Sequence, residues 1–402
     1  MRVIWKQCRE ILDVRILLIL ALFTLLFFQL FLQILYPKNG KILGGWANYP
    51  YSIELMKEFG KTIQVSDWSK LEAKEEELKR EYSEFISASE KCRAAGITTY
   101  DEMMEYEDKY INTDIETDGE MPEEERALHD EITDIMYEQW ELTCKLEYLE
   151  DLNMRKGSEF GMSKEEIEQE MSDWDINSAW VKKEYEERFS RNYTSFMLMH
   201  VFNILWEDMP KMGILLSVSF FVLILYYQIR ERLRGTIYLC ATTRTGRKVF
   251  GRQFAACMLS CAVVGIMQMI AYFTFFLKKG LGPLLACPCE PFNGPYLWCD
   301  QISYGLFFLI YAVFVFLFTL MSAGIAYLIG RVAANYIVGI AISIPVMLGI
   351  ALLAFRLFGE FLQVDTAIGL PYWELPCVVV CVGIMAAVVV WRLRRDKKID
   401  FA

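Results

Sequence analysis

Uncharged, apolar windows of about membrane-spanning length divide the sequence. There are six such windows. They hold 22 residues between Arg15 and Lys38, 18 between Lys211 and Arg230, 25 between Arg252 and Lys278, 30 between Asp300 and Arg331, 24 between Arg331 and Arg356, and 17 between Glu374 and Arg392. A helix needs about 20 apolar residues to cross a bilayer. The pattern therefore predicts an all-α, polytopic membrane protein with six transmembrane helices, the first over residues 14–37 and the other five within residues 211–402.

Between the first two windows, over residues 38–210, apolar residues follow a heptad repeat. Two runs place them at core positions: Trp68, Leu71, Leu78, Tyr82, Phe85 and Cys92, then Leu128, Ile132, Ile135, Leu142, Leu146 and Leu149. The turn-rich residues 112–122 separate the runs. Because such repeats are typical of coiled-coil packing, we predict an extracytoplasmic helical domain built on an antiparallel coiled-coil hairpin, with arms about 40 Å long.

Two further helices are predicted before the second span. Ser163-Lys-Glu-Glu166 has the form of a capping box, in which the Ser and Glu side chains satisfy backbone amides at a helix start. Another helical pattern begins at Ala179. The apolar residues 195–206 that follow are interpreted as lying flat on the outer membrane interface.

The first 13 residues have an amphipathic pattern. Ile4, Cys8 and Ile11 share one helical face, and the basic residues project elsewhere. The pattern predicts a short amphipathic interfacial helix over residues 1–13; a cytoplasmic extension of the first span is the equal alternative. The span itself is longer than the apolar part of a signal peptide, and no small-x-small cleavage site follows it, so we expect an uncleaved anchor.

Charge is segregated along the chain. Residues 37–210 hold 42 of the 52 acidic and 20 of the 41 basic residues, so the acidic excess belongs to the predicted helical domain. Basic residues flank the spans at the N-terminus, in residues 230–252, at Arg331 and in the C-terminal tail, and such residues favour the cytoplasmic side. We predict a multi-pass protein of a cell membrane, the bacterial plasma membrane, with both termini cytoplasmic; Lys278, Lys279 and Arg356 then fall outside.

Residues for the commonest catalytic sites are missing from the sequence. The two histidines, His129 and His200, cannot build an HExxH zinc site or a histidine-centred triad. No GxxxxGK[ST] sequence is present, so any ATP that drives this protein is hydrolysed by another chain. Glutamate runs such as residues 75–77 are interpreted as solvated helix faces, because no EF-hand spacing accompanies them. We expect no catalytic residue, metal site, cofactor or nucleic-acid partner.

One loop holds a candidate disulfide. Cys287, Cys289 and Cys299 share the proline-rich loop between the third and fourth spans, so Cys287 or Cys289 can pair with Cys299; we take Cys289–Cys299 as the candidate bond. Cys144 falls at an outward heptad position whereas Cys92 falls at a core position, which argues against a bond between them.

The stretch between the second and third spans carries an ordered motif. Seven basic residues and one acidic residue lie in residues 230–252, so the stretch is too polar for lipid. Within it, Glu231-Arg232-x-x-Gly235-Thr236-x-x-Leu239-x-x-Thr242, followed by Arg247 and Gly251-Arg252, resembles the segment between the second and third spans of type-2 ATP-binding cassette (ABC) exporter permeases. The six-span arrangement with a large external insertion after the first span is also similar. The family often has Pro where this chain has Thr243.

The resemblance implies a mechanism and partners. A short coupling helix over residues 236–247 would dock on a cytosolic ABC ATPase subunit, and the permease would form a homodimer or heterodimer surrounded by membrane lipids. The residues carried over to this coupling role are Glu231, Arg232, Gly235, Thr236, Leu239, Thr242 and Arg247. The implied function is that of the permease subunit of an ABC exporter with an unidentified substrate.

The same residues suit that role on physical grounds. Gly235 allows a tight backbone turn, and Glu231 has Arg232 and Arg234 as candidate partners. An ordinary basic loop is the alternative for this stretch, because the positive-inside bias alone produces one. For the whole chain the alternative is a membrane-anchored receptor whose external hairpin binds a partner. An intramembrane enzyme is disfavoured, because the spans lack paired carboxylates or histidines.

A few polar residues fall within the predicted spans. They either line a path for a substrate or hold neighbouring helices together by hydrogen bonds. These residues are Gln268, Ser322, Asn335 and Ser343.

Overall fold

The six apolar windows correspond to six long helices in the computed structural model of the chain. The structure describes residues 2–32, 48–116, 123–158, 163–173, 178–189, 191, 193–197, 199–235, 249–290, 297–364 and 369–396. Within these ranges, six helices are long and apolar enough to cross a membrane. The prediction of a helical, multi-pass membrane protein is therefore confirmed.

The helices have the following bounds. In chain order they are α1 (Arg2–Ile11), α2 (Val14–Phe31), α3 (Asn48–Phe59), α4 (Trp68–Ala88), α5 (Glu90–Ala94), α6 (Tyr100–Glu116), α7 (Glu123–Glu138), α8 (Trp140–Ser158), α9 (Lys164–Asp173), α10 (Ala179–Phe189), α11 (Met199–Leu233), α12 (Val249–Lys278), α13 (Tyr304–Val332), α14 (Tyr336–Phe358) and α15 (Glu374–Asp396). The chain divides into a membrane unit, which holds Met1–Asn39, Met199–Cys289 and Pro295–Ala402, and a helical unit, which holds Gly40–Leu198 and Glu290–Gly294.

The N-terminal residues form a helix separate from the first span. Asp13 ends the connection between α1 and α2 and caps α2, because its carboxylate accepts a hydrogen bond from the Arg15 amide at 2.9 Å. On α1, Cys8 and Ile11 are buried as the amphipathic pattern predicts. Residues 2–11 therefore form a helix of their own and not a continuous extension of the first span.

The second span begins earlier than predicted. The predicted domain boundary between residues 210 and 211 falls inside α11, and the units divide after residue 198 instead. Two acidic residues are accommodated in this helix: Glu207 pairs with Lys211 at 3.3 Å, and buried Asp208 accepts a hydrogen bond from the Tyr272 hydroxyl at 3.2 Å. Residues 199–206 belong to α11 and so join the second span in one helix; their position at the outer membrane interface stays a prediction.

Small residues let the spans approach closely in the membrane unit. A Cβ atom added to Gly330 of α13 would lie 2.9 Å from Gln228 of α11. One added to Gly265 of α12 would lie 2.8 Å from Phe316 and 2.9 Å from Phe220. Helices α11, α12 and α13 therefore pack as a tight group, in the manner of small-residue contacts in membrane proteins.

Two short strands close the helical unit. β1 (Thr62–Gln64) pairs antiparallel with β2 (Tyr193–Ser195), with Ile63 opposite Thr194. The strands lie near the two ends of the segment that forms this unit. The chain therefore enters and leaves the unit side by side, a pairing that the heptad pattern did not predict.

The two heptad runs are broken into shorter helices. Helix α4 packs against α8, but the first run ends at Ser89, whose hydroxyl caps α5 by accepting the Cys92 amide at 3.4 Å. A further helix, α6, continues to Glu116 across residues that were predicted to form a turn. The described helices are shorter than the two predicted arms, so the coiled-coil hairpin is not confirmed. Most of residues 112–122, from 117 on, lie outside the described residues.

A capping box at Thr99 explains the start of α6. The Glu102 carboxylate accepts the amides of Thr98 and Thr99 at 2.8 and 3.0 Å, and the Thr99 hydroxyl accepts the Glu102 amide at 3.3 Å. These amides lower the pKa of the Glu102 carboxyl. The sequence signal, Thr-x-x-Glu, was present but not used in the prediction.

The core of the helical unit surrounds α4. Tyr82 is fully buried; its hydroxyl lies 3.1 Å from that of Thr143, and its ring meets Tyr100 edge-on at 5.2 Å. Ile86 is buried, whereas Phe85, a predicted core residue, is 40% exposed. Because α4 contacts α6 and α7 as well as α8, its buried face is not the single seam of a two-helix coiled coil.

Cys144 is also placed differently from the prediction. It is buried rather than turned outward, and burial raises the pKa of its thiol to about 12. The reason is again that α8 has neighbours on more than one side, since it contacts α3, α4 and α7.

Polar contacts hold α7 beside the break between α4 and α5. The Glu131 carboxylate of α7 lies 2.9 Å from the Lys91 ammonium and accepts the Ser89 hydroxyl at 2.9 Å. These two partners lower the pKa of the Glu131 carboxyl. Farther along the chain, the predicted capping box at Ser163 is formed and starts α9, with Glu166 as its second member.

The loops between the later spans fold onto the membrane unit. The Trp206 indole donates to the Phe361 carbonyl at 3.2 Å, and the Phe361 ring stacks on Tyr311 at 4.5 Å. Cys289 is buried, and its amide donates to the Ile302 carbonyl at 2.9 Å. The Cys289–Cys299 disulfide stays a prediction.

Candidate coupling site

The motif between the second and third spans begins where α11 ends. Gly235 follows α11 with φ of +73°, and its amide donates to the Arg232 carbonyl at 2.9 Å. A left-handed residue after the last turn is a common way to end a helix, and glycine adopts it without strain. The turn expected from Gly235 is thus present.

Glu231 pairs with an arginine one helical turn later in the chain. Its carboxylate lies 3.7 Å from the Arg234 guanidinium, three residues on, and its side chain is only 13% exposed. Of the two partners considered from the sequence, Arg234 is the one it contacts. Arg232 points elsewhere.

Arg232 binds the end of another span. Its guanidinium donates to the backbone carbonyls of Arg331 at 2.6 Å and Val332 at 3.2 Å, and also to that of Ala333. The last carbonyls of a helix have no partner within the helix and carry partial negative charge. The planar guanidinium, with its several donors, satisfies this group. Arg232 therefore links the end of α11 to the end of α13 by hydrogen bonds.

Arg230 fastens the same end of α11 to the N-terminal helices. Its guanidinium donates to the Glu10 carbonyl at 3.0 Å and lies 3.7 Å from the Asp13 carboxylate. It also lies over the Tyr226 ring at 5.3 Å. The connection between α1 and α2 is therefore held beside the end of α11.

The start of α12 is fastened to the end of α13. The buried Arg331 guanidinium lies 4.1 Å from the centre of the Phe250 ring, a cation–π contact. The Tyr327 hydroxyl donates to the Phe250 carbonyl at 3.2 Å. Because Phe250 is the second residue of α12, this contact fixes the point where the third span begins.

The start of α14 joins the same group. Asn335 caps it by accepting the Val338 amide at 3.0 Å. A Cβ atom added to Gly339 would lie 3.0 Å from Ile229 of α11. Asn335, which the sequence pattern placed within a span, is thus a helix cap.

We call this arrangement the helix-end junction and define it by Arg230, Arg232, Gly235, Phe250 and Arg331. It brings together the ends of α11 and α13, the starts of α12 and α14, and the connection between α1 and α2. Residues 236–248, which link α11 to α12, lie outside the described residues. The predicted coupling residues Thr236, Leu239, Thr242 and Arg247 and the predicted coupling helix therefore lie outside them too.

Sequence analysis identified Glu231, Arg232 and Gly235 but not the roles of Arg230 and Arg331. Their contacts cross long stretches of sequence; Arg230 and Glu10 are 220 residues apart. The available signal was the position of both arginines at the edge of an apolar window, which marks a span end without naming its neighbour.

Inside the spans, one polar group connects three helices. The Gln268 amide nitrogen of α12 donates to the Thr24 hydroxyl of α2 at 2.7 Å and to the Ser219 hydroxyl of α11 at 2.9 Å. Ser322 and Ser343 instead donate to carbonyls within their own helices. These contacts favour the interpretation of the intramembrane polar residues as packing contacts over a polar path.

Among the described residues, no group of three or more His, Cys, Asp or Glu side chains is arranged to hold a metal ion. Comparison of the chain with models of known families, with curated proteins and with solved structures finds no match. A function therefore has to be argued from the motif and from the junction.

Proposed function

We propose that this chain is the permease subunit of an ABC exporter. It acts as a homodimer or heterodimer, and its 236–247 segment docks on a separate cytosolic ATPase subunit. Both termini are then cytoplasmic in a bacterial plasma membrane, and the helical unit is extracytoplasmic. The transported substrate is not specified by the proposal.

The observation that carries the proposal is the contact of Arg232 with the end of α13. In the motif shared with exporter permeases, Glu231-Arg232-x-x-Gly235 comes directly before the docking segment. Here that motif ends a span, turns at Gly235 and binds a second span through three backbone carbonyls. An ordinary basic loop satisfies the positive-inside bias without any such linkage.

The junction supports a rigid-body mechanism. The docking segment is continuous with α11 at one end and α12 at the other. Arg232 links α11 to α13, Arg230 links α11 to the connection between α1 and α2, and Arg331 links α13 to α12. A displacement of the segment, driven by ATP-dependent closure of the partner subunits, therefore moves several spans together.

The proposal assigns ATP hydrolysis to a separate subunit. The sequence holds no GxxxxGK[ST] motif, whose glycine-rich loop and lysine bind nucleotide phosphates. In this mechanism the permease supplies the path and the partner supplies hydrolysis.

The experiment is purification of the tagged chain from its native membrane in a mild detergent. We expect a protein with a nucleotide-binding P-loop to co-purify, together with vanadate-sensitive ATP hydrolysis. Glu231→Ala and Gly235→Leu should leave the chain in the membrane but reduce that hydrolysis. The matched control is Gly349→Ala, because Gly349 lies outside the motif and a Cβ atom there meets no neighbour within 4 Å. Full hydrolysis in both coupling variants would contradict the proposal.

A membrane-anchored receptor is the second candidate. It is favoured by the helical unit, which has its own core around Tyr82 and Ile86 and its own closing strand pair. For a receptor, the purified chain carries no ATPase, and its binding of an external partner is unaffected by Glu231→Ala. Co-purification with an ATPase thus separates the two candidates.

A further inference from the structure

Helix α1 has two different faces. On one face, Cys8 and Ile11 are buried, with 4% and 1% of their surfaces exposed. The Cys8 thiol lies 3.6 Å from the Ala256 carbonyl of α12. This face is occupied by the protein, and it holds α1 against the first turns of the third span.

The opposite face of α1 is basic and aromatic. Lys6 and Arg9 are exposed, and Trp5 beside them is 74% exposed. Positions i, i+1 and i+4 lie on one side of a helix. The only acidic residue of α1, Glu10, is half-buried. The exposed face therefore carries positive charge together with one large amphipathic ring.

Two further exposed basic residues lie at the starts of helices that neighbour α1 in sequence or in contact. Arg15, at the start of α2, and Arg252, at the start of α12, are both exposed. The nearby Asp13 carboxylate is engaged by the Arg15 amide and lies 3.7 Å from Arg230. The surface around α1 is thus one that attracts anions.

The apolar surface of α2 begins immediately beyond these charges. Val14, Leu18 and Leu22 are 68%, 66% and 60% exposed. Exposed apolar residues along a spanning helix face lipid chains, and basic and tryptophan side chains at its edge lie at the level of the lipid headgroups. Helix α1 ends at Ile11 and α2 begins at Val14, so this apolar surface follows α1 directly along the chain.

We propose that the face formed by Trp5, Lys6 and Arg9 binds the phosphate headgroups of anionic phospholipids. The two cations pair with phosphate, and the indole ring lies at the boundary between headgroups and chains. The exposed apolar surface of α2, which follows α1 directly along the chain, favours a lipid over a protein as the occupant. This site is additional to the proposed exporter function and does not rest on it.

The site is also linked to the helix-end junction. Arg230 holds the connection between α1 and α2 through the Glu10 carbonyl and the Asp13 carboxylate. A headgroup bound to α1 therefore restrains the same end of α11 that carries the motif.

The test uses the full chain in detergent, titrated with fluorescent phosphatidylglycerol and with phosphatidylcholine. We expect phosphatidylglycerol to bind more tightly, and Lys6→Gln/Arg9→Gln to weaken it about 30-fold. That figure follows from about 1 kcal/mol per basic residue near an anionic surface and 1.4 kcal/mol per tenfold change in affinity. The charge-conserving variant Lys6→Arg/Arg9→Lys should retain binding, which excludes misfolding as the cause.

The matched control removes two charges at the far end of α12, from its last residue and from the residue that follows it. Lys278→Gln/Lys279→Gln should leave phosphatidylglycerol affinity unchanged. Equal affinity for the two lipids, or unchanged phosphatidylglycerol affinity in Lys6→Gln/Arg9→Gln, overturns the proposal. Competition by soluble glycerol phosphate at the same affinity would show a free-phosphate site instead. Loss of ATPase association without loss of lipid binding would show that the face docks a protein.

Discussion

Replacing Arg232 with alanine should loosen α11 from α13. The substitution removes the guanidinium that donates to the carbonyls of Arg331, Val332 and Ala333. Each hydrogen bond from a charged donor contributes about 1.5–3 kcal/mol when buried. Arg232 is only half-buried, so water replaces part of what is lost.

We therefore expect Arg232→Ala to lower the free energy of unfolding by about 2 kcal/mol, the upper value for a cation at a partly buried helix end. Arg232→Lys keeps the charge but loses the planar set of donors, so it should cost about half as much. The control is Arg234→Ala, on the same turn. Arg234 is exposed and lies 3.7 Å from Glu231, and loss of such a surface pair should cost less than about 0.5 kcal/mol.

The assay is SDS-induced unfolding of the purified chain in mixed micelles, followed by circular dichroism at helical wavelengths. A loss of about 2 kcal/mol corresponds to about a 30-fold change in the ratio of folded to unfolded protein. If Arg232→Ala unfolds at the same SDS fraction as Arg234→Ala, Arg232 does not hold α13, and the mechanical part of the account is refuted.

Three further predictions concern single positions. Gly235→Ala should lower the free energy of unfolding by about 1–2 kcal/mol in the same assay, because a φ of +73° is strained for any residue with a Cβ. Gly251→Ala, within α12, should leave the free energy of unfolding unchanged or raise it. Equal effects of the two substitutions would contradict the left-handed turn at Gly235. Gln268→Ala should cost about 0.5–1.5 kcal/mol by removing its two interhelical hydrogen bonds, and an unchanged transition would show that the spans pack without them. Glu131 has a lowered pKa in the folded chain, so its contribution is present above the ordinary carboxyl pKa and is lost as pH falls through the lowered value. The thermal midpoint of the helical unit, followed by circular dichroism on the full chain from pH 6 to 3, should therefore fall less steeply in Glu131→Gln than in the original chain; parallel curves would contradict this.

The spans were predictable because charge is excluded from lipid over a length that the bilayer sets. The one large error, the start of α11, has a local cause. Glu207 and Asp208 were read as the end of a polar domain, yet Lys211 and Tyr272 satisfy them within and beside the helix. Single charges near a span end therefore do not locate the end of the helix when their partners on other helices are unknown.

The helical unit was predicted less well because a heptad repeat describes one seam. It assigned Phe85 to the core, but α4 has several neighbours, and Ile86 is buried instead. The capping box at Thr99 was the overlooked signal for α6. By contrast, the same kind of box at Ser163 was recognised and starts α9.

At the candidate site, the sequence could show local geometry but not the contacts between spans. The turn at Gly235 and the Glu231–Arg234 pair follow from spacing of three or four residues. The carbonyls that Arg232 binds lie about 100 residues farther along the chain, and no periodicity connects the two. Packing alone brings these groups together.

We propose above that the segment after Gly235 docks on an ATPase. The most direct test introduces a photo-crosslinking amino acid at Leu239 and, in a second variant, at Trp180, which is 58% exposed in the helical unit. After illumination of intact cells, mass spectrometry should find a P-loop ATPase attached to the chain at position 239 and absent from position 180. An ATPase adduct at position 180, or none at position 239, would contradict the claim.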